Sequence, residues 1–167
     1  RARLSDRLAE RHHRVLVSSA GVRALVGSTM TAEAAAELRS QGGDDTAFVS
    51  RQLTAGLVSE ADLVLAATRQ HRSDAVTLAP RALRFAFTLR ELHRLLRDAD
   101  LSGLPLDPAE RLRELVTVAR GRRGFVLPTV DGDDDVSDPY GRSAQAYAAT
   151  TRQIVPAVEF LVDALTM

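Results

Sequence analysis

Asp138-Pro139-Tyr140 is the triplet in this chain best suited to chemistry. Proline fixes its own φ and biases the residue before it toward extended backbone, so the Asp138 carboxyl projects from a rigid turn. A carboxylic acid held that way can protonate a leaving group. The Tyr140 ring, two residues on, can wall a pocket beside it. A plain structural turn is the other local reading, since Asp-Pro turns are common.

Other groups add less. The tract Asp131-Gly132-Asp133-Asp134-Asp135 is densely acidic but lacks the alternating ligands, sixth-position glycine and later glutamate of a calcium loop. It reads as a solvated loop facing Arg120, Arg122 and Arg123 rather than a metal site. His71 falls in the first turn of a helix at a strand's carboxyl end, a site-like place that also suits a surface or capping role. His12-His13 ends a helix, where a cation suits the dipole, and His93 lies on a helix face. No histidine pair has metal-ligand spacing. Ser19 follows a strand, but no local base activates it, and no nucleophile elbow, Walker loop or dinucleotide fingerprint occurs.

The elements that must position these residues follow from pattern. Residues 1–13 read as the tail of a helix, with Leu4 and Leu8 on one face. Short apolar runs at 15–17, 63–66 and 83–87 read as buried strands. Thr31 caps an alanine-rich helix over 32–40 that Gly42-Gly43 stops, Thr54 caps a short helix ending near Glu60, and Thr68 caps one running to about Leu78. Thr88 and Glu91 form a capping box for a helix through Arg97. An amphipathic helix over 108–120 sits in an otherwise irregular stretch, 98–136, and residues 143–165 form the last helix. Pro156 predicts a kink there, or two helices, because an interior proline costs about 3 kcal/mol. Strands alternating with helices predict an α/β fold with a parallel sheet, helical crossovers and ligands beyond the carboxyl ends of the strands.

Composition bounds the function. The 167 residues suit one domain; 45% are hydrophobic and 26% charged. No cysteine is present, which excludes disulfides and cysteine-ligated zinc or iron–sulfur centres. Twenty-two basic residues, all arginine, balance 22 acidic ones, so strong non-specific nucleic-acid binding is not expected. No apolar run is long enough to span a membrane. The chain opens on Arg1, without methionine or signal peptide, and reads as part of a longer protein.

The order of segments carries a resemblance. Ser19-Ala20-Gly21, Gly27, residues 34–38 and Gly42-Gly43 come first, then Arg51-Gln52-Leu53. Residues 61–65 with His71-Arg72 follow, and Asp138-Pro139-Tyr140-Gly141 with Tyr147 and Ala157-Val158 close the series. Together they resemble the low-molecular-weight protein tyrosine phosphatases, in their actinobacterial branch. The resemblance covers most of residues 15–97 and 137–165, with 98–136 an expanded insertion.

It implies a three-layer α/β sandwich and a cytoplasmic phosphomonoesterase without cofactor or metal, acting on a phosphotyrosine protein or small phosphomonoester and releasing inorganic phosphate. In this family a cysteine thiolate on a Cys-x5-Arg loop attacks phosphorus, and the loop's N–H groups and arginine hold the anion. The family's acid maps to Asp138, the aromatic wall beside the substrate ring to Tyr140, and a serine bracing the phosphate loop to Ser19.

The departure is the loop itself. Leu8-Ala9-Glu10 superficially resembles the Ala-Glu after it, but only eight residues separate Glu10 from Ser19, too few for the rest of that helix and a strand. The better alignment puts Arg1 midway through the first helix, with first strand and nucleophile upstream. Phe48 stands near a position where the family often has histidine. Three readings follow: a phosphatase whose start is missing, an arsenate reductase of the same fold, and a non-catalytic binding or regulatory relic. Arsenate reduction needs extra resolving cysteines, which this chain lacks. A missing first strand would also bare a sheet edge, through which a dimer or swapped assembly becomes possible.

Overall fold

The computed structural model describes residues 15–167. In chain order the elements are α1 (Ala32–Ser40), α2 (Ala55–Ser59), β1 (Val64–Ala66), α3 (Arg69–Leu78), a 3-10 helix (Pro80–Arg84) and β2 (Ala86–Thr88), then α4 (Leu89–Leu96), α5 (Pro108–Arg122) and α6 (Ala144–Thr166). The helix expected over residues 1–13 lies outside the described residues.

The helices start where threonine can satisfy their first free N–H groups. Thr31 accepts from Ala34 N, Thr54 from Leu57 N and Thr68 from His71 N. At Thr88 the full capping box forms, its hydroxyl accepting from Glu91 N while the Glu91 carboxylate accepts from Thr88 N. Asp107 caps α5, with Pro108 preset in its first turn.

β1 and β2 run parallel, with Val64 opposite Ala86 and Ala66 opposite Thr88. Alternate residues of β2 face opposite layers. Phe87 packs with Leu92, Leu95, Leu115, Leu161 and Leu165 from α4, α5 and α6. Ala86 packs with Val58, Ala75, Ala79 and Ala82 from α2, α3 and the 3-10 helix. β2 is thus sandwiched between two helical layers, in the α/β arrangement expected. The α5 helix, inside the 98–136 stretch, contributes Leu115 and Ala119 to the larger core. Its Arg111 is buried and donates to the carbonyls of Ala164, Leu104 and Pro105.

Three expectations are corrected. Residues 15–17 form no strand, and Leu16 is 92% exposed. The chain just after them pairs elsewhere: Gly21 bridges Gln52 in parallel, and Gly27 and Ser28 exchange hydrogen bonds with Ser50. Among the described residues no strand lies beside 15–17 to take its backbone groups. The third expected strand, 83–87, begins late, because Pro80 starts a 3-10 helix that carries Leu83 and Arg84 out to solvent. β1 is not covered on both faces, since Leu65 is 39% exposed. At Pro156, where a kink or two helices were expected, α6 continues as one helix. Pro156 and Arg152, whose carbonyl loses its i+4 donor, both lie on the exposed face, where water can satisfy that group.

Glu91 ties these elements together. It is 4% exposed and accepts from Arg72 Nη1 at 2.7 Å, Arg123 Nε at 2.9 Å and Thr88 N at 3.1 Å. Arg123 also donates to the carbonyls of Ala86 and Leu83 and lies 4.2 Å from the Phe87 ring centroid, closing that end of β2.

Two outcomes are expected. Glu91→Ala leaves two half-buried guanidiniums without their carboxylate and lowers the urea-unfolding free energy by about 3 kcal/mol. The second concerns His93, which packs on the Phe160 ring at 5.2 Å. Burial, then Arg97 and Arg90, hold its pKa below the ordinary 6.5. The folded chain therefore binds fewer protons than the unfolded chain near that pH, so stability rises with pH. This contribution is complete above about pH 6.5 and is lost as pH falls through the lower folded value. The urea midpoint should drop between about pH 7.5 and 5.5, and drop less in His93→Gln.

Candidate functional site

The carboxyl end of β1 is where the fold gathers groups able to do chemistry. β1 ends at Ala66, and Thr68 opens α3. The loop that carries Asp138 comes back against this point: Val136 N donates to Ala67 O at 2.8 Å, and Val136 is buried. Ser137 is held next to it, its N–H on Gln153 Oε1 and its carbonyl accepting from Thr150 Oγ1, both on α6. Then comes the turn. Asp138 Oδ1 accepts from Tyr140 N at 3.0 Å, Arg142 N donates to Pro139 O, and Gly141 takes a φ of +69° that a residue with a side chain rarely adopts. The rigid Asp-Pro turn expected from sequence is thus present.

A cavity of about 570 Å³ lies between α1, the end of β1 and α6, lined among others by Thr68, His71, Val136, Asp138, Tyr147 and Ile154. The structure brings Asp138 and His71 to this one cavity. It does not bring Tyr140 or Ser19 into its wall. The Tyr140 residue is 64% exposed. Ser19 is exposed, and its carbonyl accepts from Arg51 Nε at 2.6 Å. Tyr147 Oη lies 3.2 Å from Thr31 Oγ1 and so links α6 to the cap of α1.

The acidic tract does not face Arg120, Arg122 and Arg123. Arg123 is committed to Glu91 and to the carbonyls at β2. The tract instead binds arginines at the carboxyl end of the sheet. Arg94 makes a two-point ion pair with Asp134, at 2.9 and 2.7 Å, and also donates to Val126 O. Arg69 pairs with Asp131 at 2.7 Å and with Asp135 at 3.3 Å. The hydrogen bond from Arg69 holds the Asp131 carboxyl below the ordinary carboxylate range, and those carboxylates raise Arg69 in return. Asp134 likewise raises Arg94, against a smaller opposing effect of burial. Sequence reasoning missed Arg69 and Arg94. Charge complementarity signalled that the tract needs cations, but it could not choose among 22 arginines.

Among the described residues no group of three or more histidines, aspartates and glutamates is placed to hold a metal ion. Nor, among them, is any helix long and apolar enough to cross a membrane. What the arrangement offers is one carboxyl on a rigid turn, at the end of a parallel strand, beside a cavity.

The family model for low molecular weight phosphotyrosine protein phosphatases matches residues 1–114. No curated protein matches the sequence. Solved structures do. Wzb of Vibrio vulnificus, in complex with benzylphosphonate, is 21% identical with a TM-score of 0.63, over 96% of this chain and 84% of that one. The low molecular weight protein tyrosine phosphatase of T. tengcongensis is 22% identical, TM-score 0.64, over 96% and 84%. The YwlE arginine phosphatase of Geobacillus stearothermophilus is 26% identical, TM-score 0.59, over 98% and 80%. With the family model matching well over half of it, and the fold agreeing, the chain belongs to the low molecular weight phosphotyrosine protein phosphatase family.

Proposed function

We propose that this chain is the greater part of a phosphomonoesterase whose nucleophile, a cysteine on a Cys-x5-Arg loop, is supplied by sequence upstream of Arg1. The observation that carries the reading is Asp138, held in a rigid Asp-Pro turn on the cavity wall at the carboxyl end of β1. The thiolate attacks phosphorus and forms the S–P bond as the P–O bond to the leaving group breaks. Asp138 gives its proton to the departing oxygen. The resulting carboxylate then takes a proton from water, whose oxygen attacks phosphorus, breaking the S–P bond and releasing inorganic phosphate and the thiolate. The family resemblance gives Tyr140 the role of an aromatic wall for the substrate ring and Ser19 that of a brace for the phosphate loop, both from positions outside the wall of the described cavity.

The likeness to an arginine phosphatase supports a second substrate reading, phosphoarginine, in which the leaving nitrogen also requires a proton. The aromatic residue at position 140, where the family resemblance puts the wall beside the substrate ring, favours the phosphorylated phenol. Comparing kcat/KM on matched phosphotyrosine and phosphoarginine peptides separates the two, and phosphotyrosine is expected to be the better substrate.

The 167-residue chain, without cysteine, should not hydrolyse p-nitrophenyl phosphate. Turnover by it that disappears in Asp138→Ala would overturn the missing-nucleophile reading. Joined to its upstream Cys-x5-Arg segment the protein should turn over, and Asp138→Asn should lower kcat on phosphotyrosine by about 10²–10⁴-fold. A joined protein that binds phosphate but never turns over would favour the non-catalytic relic, and an unchanged rate in Asp138→Asn would remove Asp138 as the acid.

A further inference from the structure

Every residue of the stretch that leads into Asp138 is tied to a different part of the domain. The Asp134 carboxylate grips the Arg94 fork of α4, and its carbonyl accepts from Thr88 Oγ1 at 2.6 Å, the hydroxyl that also caps that helix. Asp135 Oδ1 accepts the first N–H of α3, Arg69 N, at 2.6 Å. Its other oxygen takes Arg69 Nε, and its carbonyl takes Arg90 Nη1 at 3.1 Å. Val136 is pinned to Ala67 and Ser137 to α6. Among the described residues the Asp138 carboxylate, by contrast, meets only its own turn, at Tyr140 N. A short tether from a fixed point limits how far the acid can wander: three residues reach about 10 Å at most.

We propose that Asp135 and Asp134 are positioning residues for the acid loop. Asp135 clamps it to the N-terminus of α3, and Asp134 to α4 through the Thr88 cap and Arg94 in the last turn, so that the Asp138 carboxyl is presented at the end of β1. The acidic tract is then a strap across the carboxyl edge of the sheet, with Arg69 and Arg94 as its two fasteners. For the catalytic consequence, this rests on the reading of Asp138 as the general acid; the clamp itself does not. Asp135 is the better residue to test. Its side chain is one-third exposed, whereas Asp134 sits against Arg94 with both side chains largely buried, so its loss endangers folding.

Amide hydrogen exchange on the 167-residue chain tests the clamp directly. In Asp135→Ala, exchange at the Val136 and Tyr140 amides should rise at least about tenfold, with Leu95 and Leu165 in the core unchanged. Asp135→Asn keeps an oxygen for Arg69 N and should recover part of the protection. Unchanged exchange at Val136 and Tyr140, or a rise shared equally by Leu95 and Leu165, would sink the proposal. The catalytic consequence is read in the protein carrying its phosphate loop. There Asp135→Ala should lose about tenfold in kcat on phosphotyrosine with KM nearly unchanged, while dinitrophenyl phosphate, whose leaving group needs little protonation, keeps its rate. Equal losses on both esters would mean a merely structural role. Failure of Asp138→Asn to show the same leaving-group dependence would remove the acid reading and leave the exchange result standing.

Discussion

A buried carboxylate at Glu91 is the constraint on which the rest of this structure hangs. A charge in a low-dielectric interior is tolerable only when it is paired and its oxygens are hydrogen-bonded. Glu91 meets that demand by drawing on Arg72 of α3, Arg123 after α5 and the backbone of Thr88 at the end of β2. Three segments far apart in sequence are therefore fixed relative to one another at a single point. The same capping box carries the constraint onward, since the Thr88 hydroxyl that receives Glu91 N also donates to the carbonyl of Asp134. The loop leading to Asp138 is hung from the cap that Glu91 builds.

Arginine suits this design physically. Its planar fork makes two parallel bonds to one carboxylate, as Arg94 does with Asp134, and it can serve several acceptors at once, as Arg111 and Arg123 do with carbonyls. A lysine ammonium is a single point of charge and would not lock orientation in the same way. All 22 basic residues are arginine, and the fold exploits the shape of that side chain at its tightest junctions.

Local signals carried a good share of the fold. Thr31, Thr54, Thr68 and the Thr88–Glu91 box mark helix starts because the bond involved spans three residues and needs no tertiary partner. The Asp138-Pro139 turn is legible for the same reason: proline and a side chain two residues away settle it locally. Strands were less legible. An apolar run at 15–17 has the composition of a strand, yet a strand exists only when a neighbour takes its backbone groups, and the neighbouring chain pairs with residues 50–53 instead. At 83–87 the hydrophobic run concealed a proline-started 3-10 turn. Pro156 did not split α6: it and Arg152 lie on the exposed face, where water can satisfy the carbonyl it leaves unmatched.

By itself, the sequence determined the class of the domain, its family, the Asp138-Pro139 turn and the absence of cysteine from these 167 residues. These rest on residue identity, segment order and bonds between near neighbours in the chain. Only the tertiary structure decided which of the many arginines hold the acidic tract, that Asp138 and His71 share a cavity, and that Tyr140 and Ser19 stand outside its wall. Those facts depend on pairings between residues some 40 to 66 positions apart. Charge is long-ranged and unspecific, so composition shows that such pairs must form, while only the packing of α3 and α4 on the sheet selects the partners.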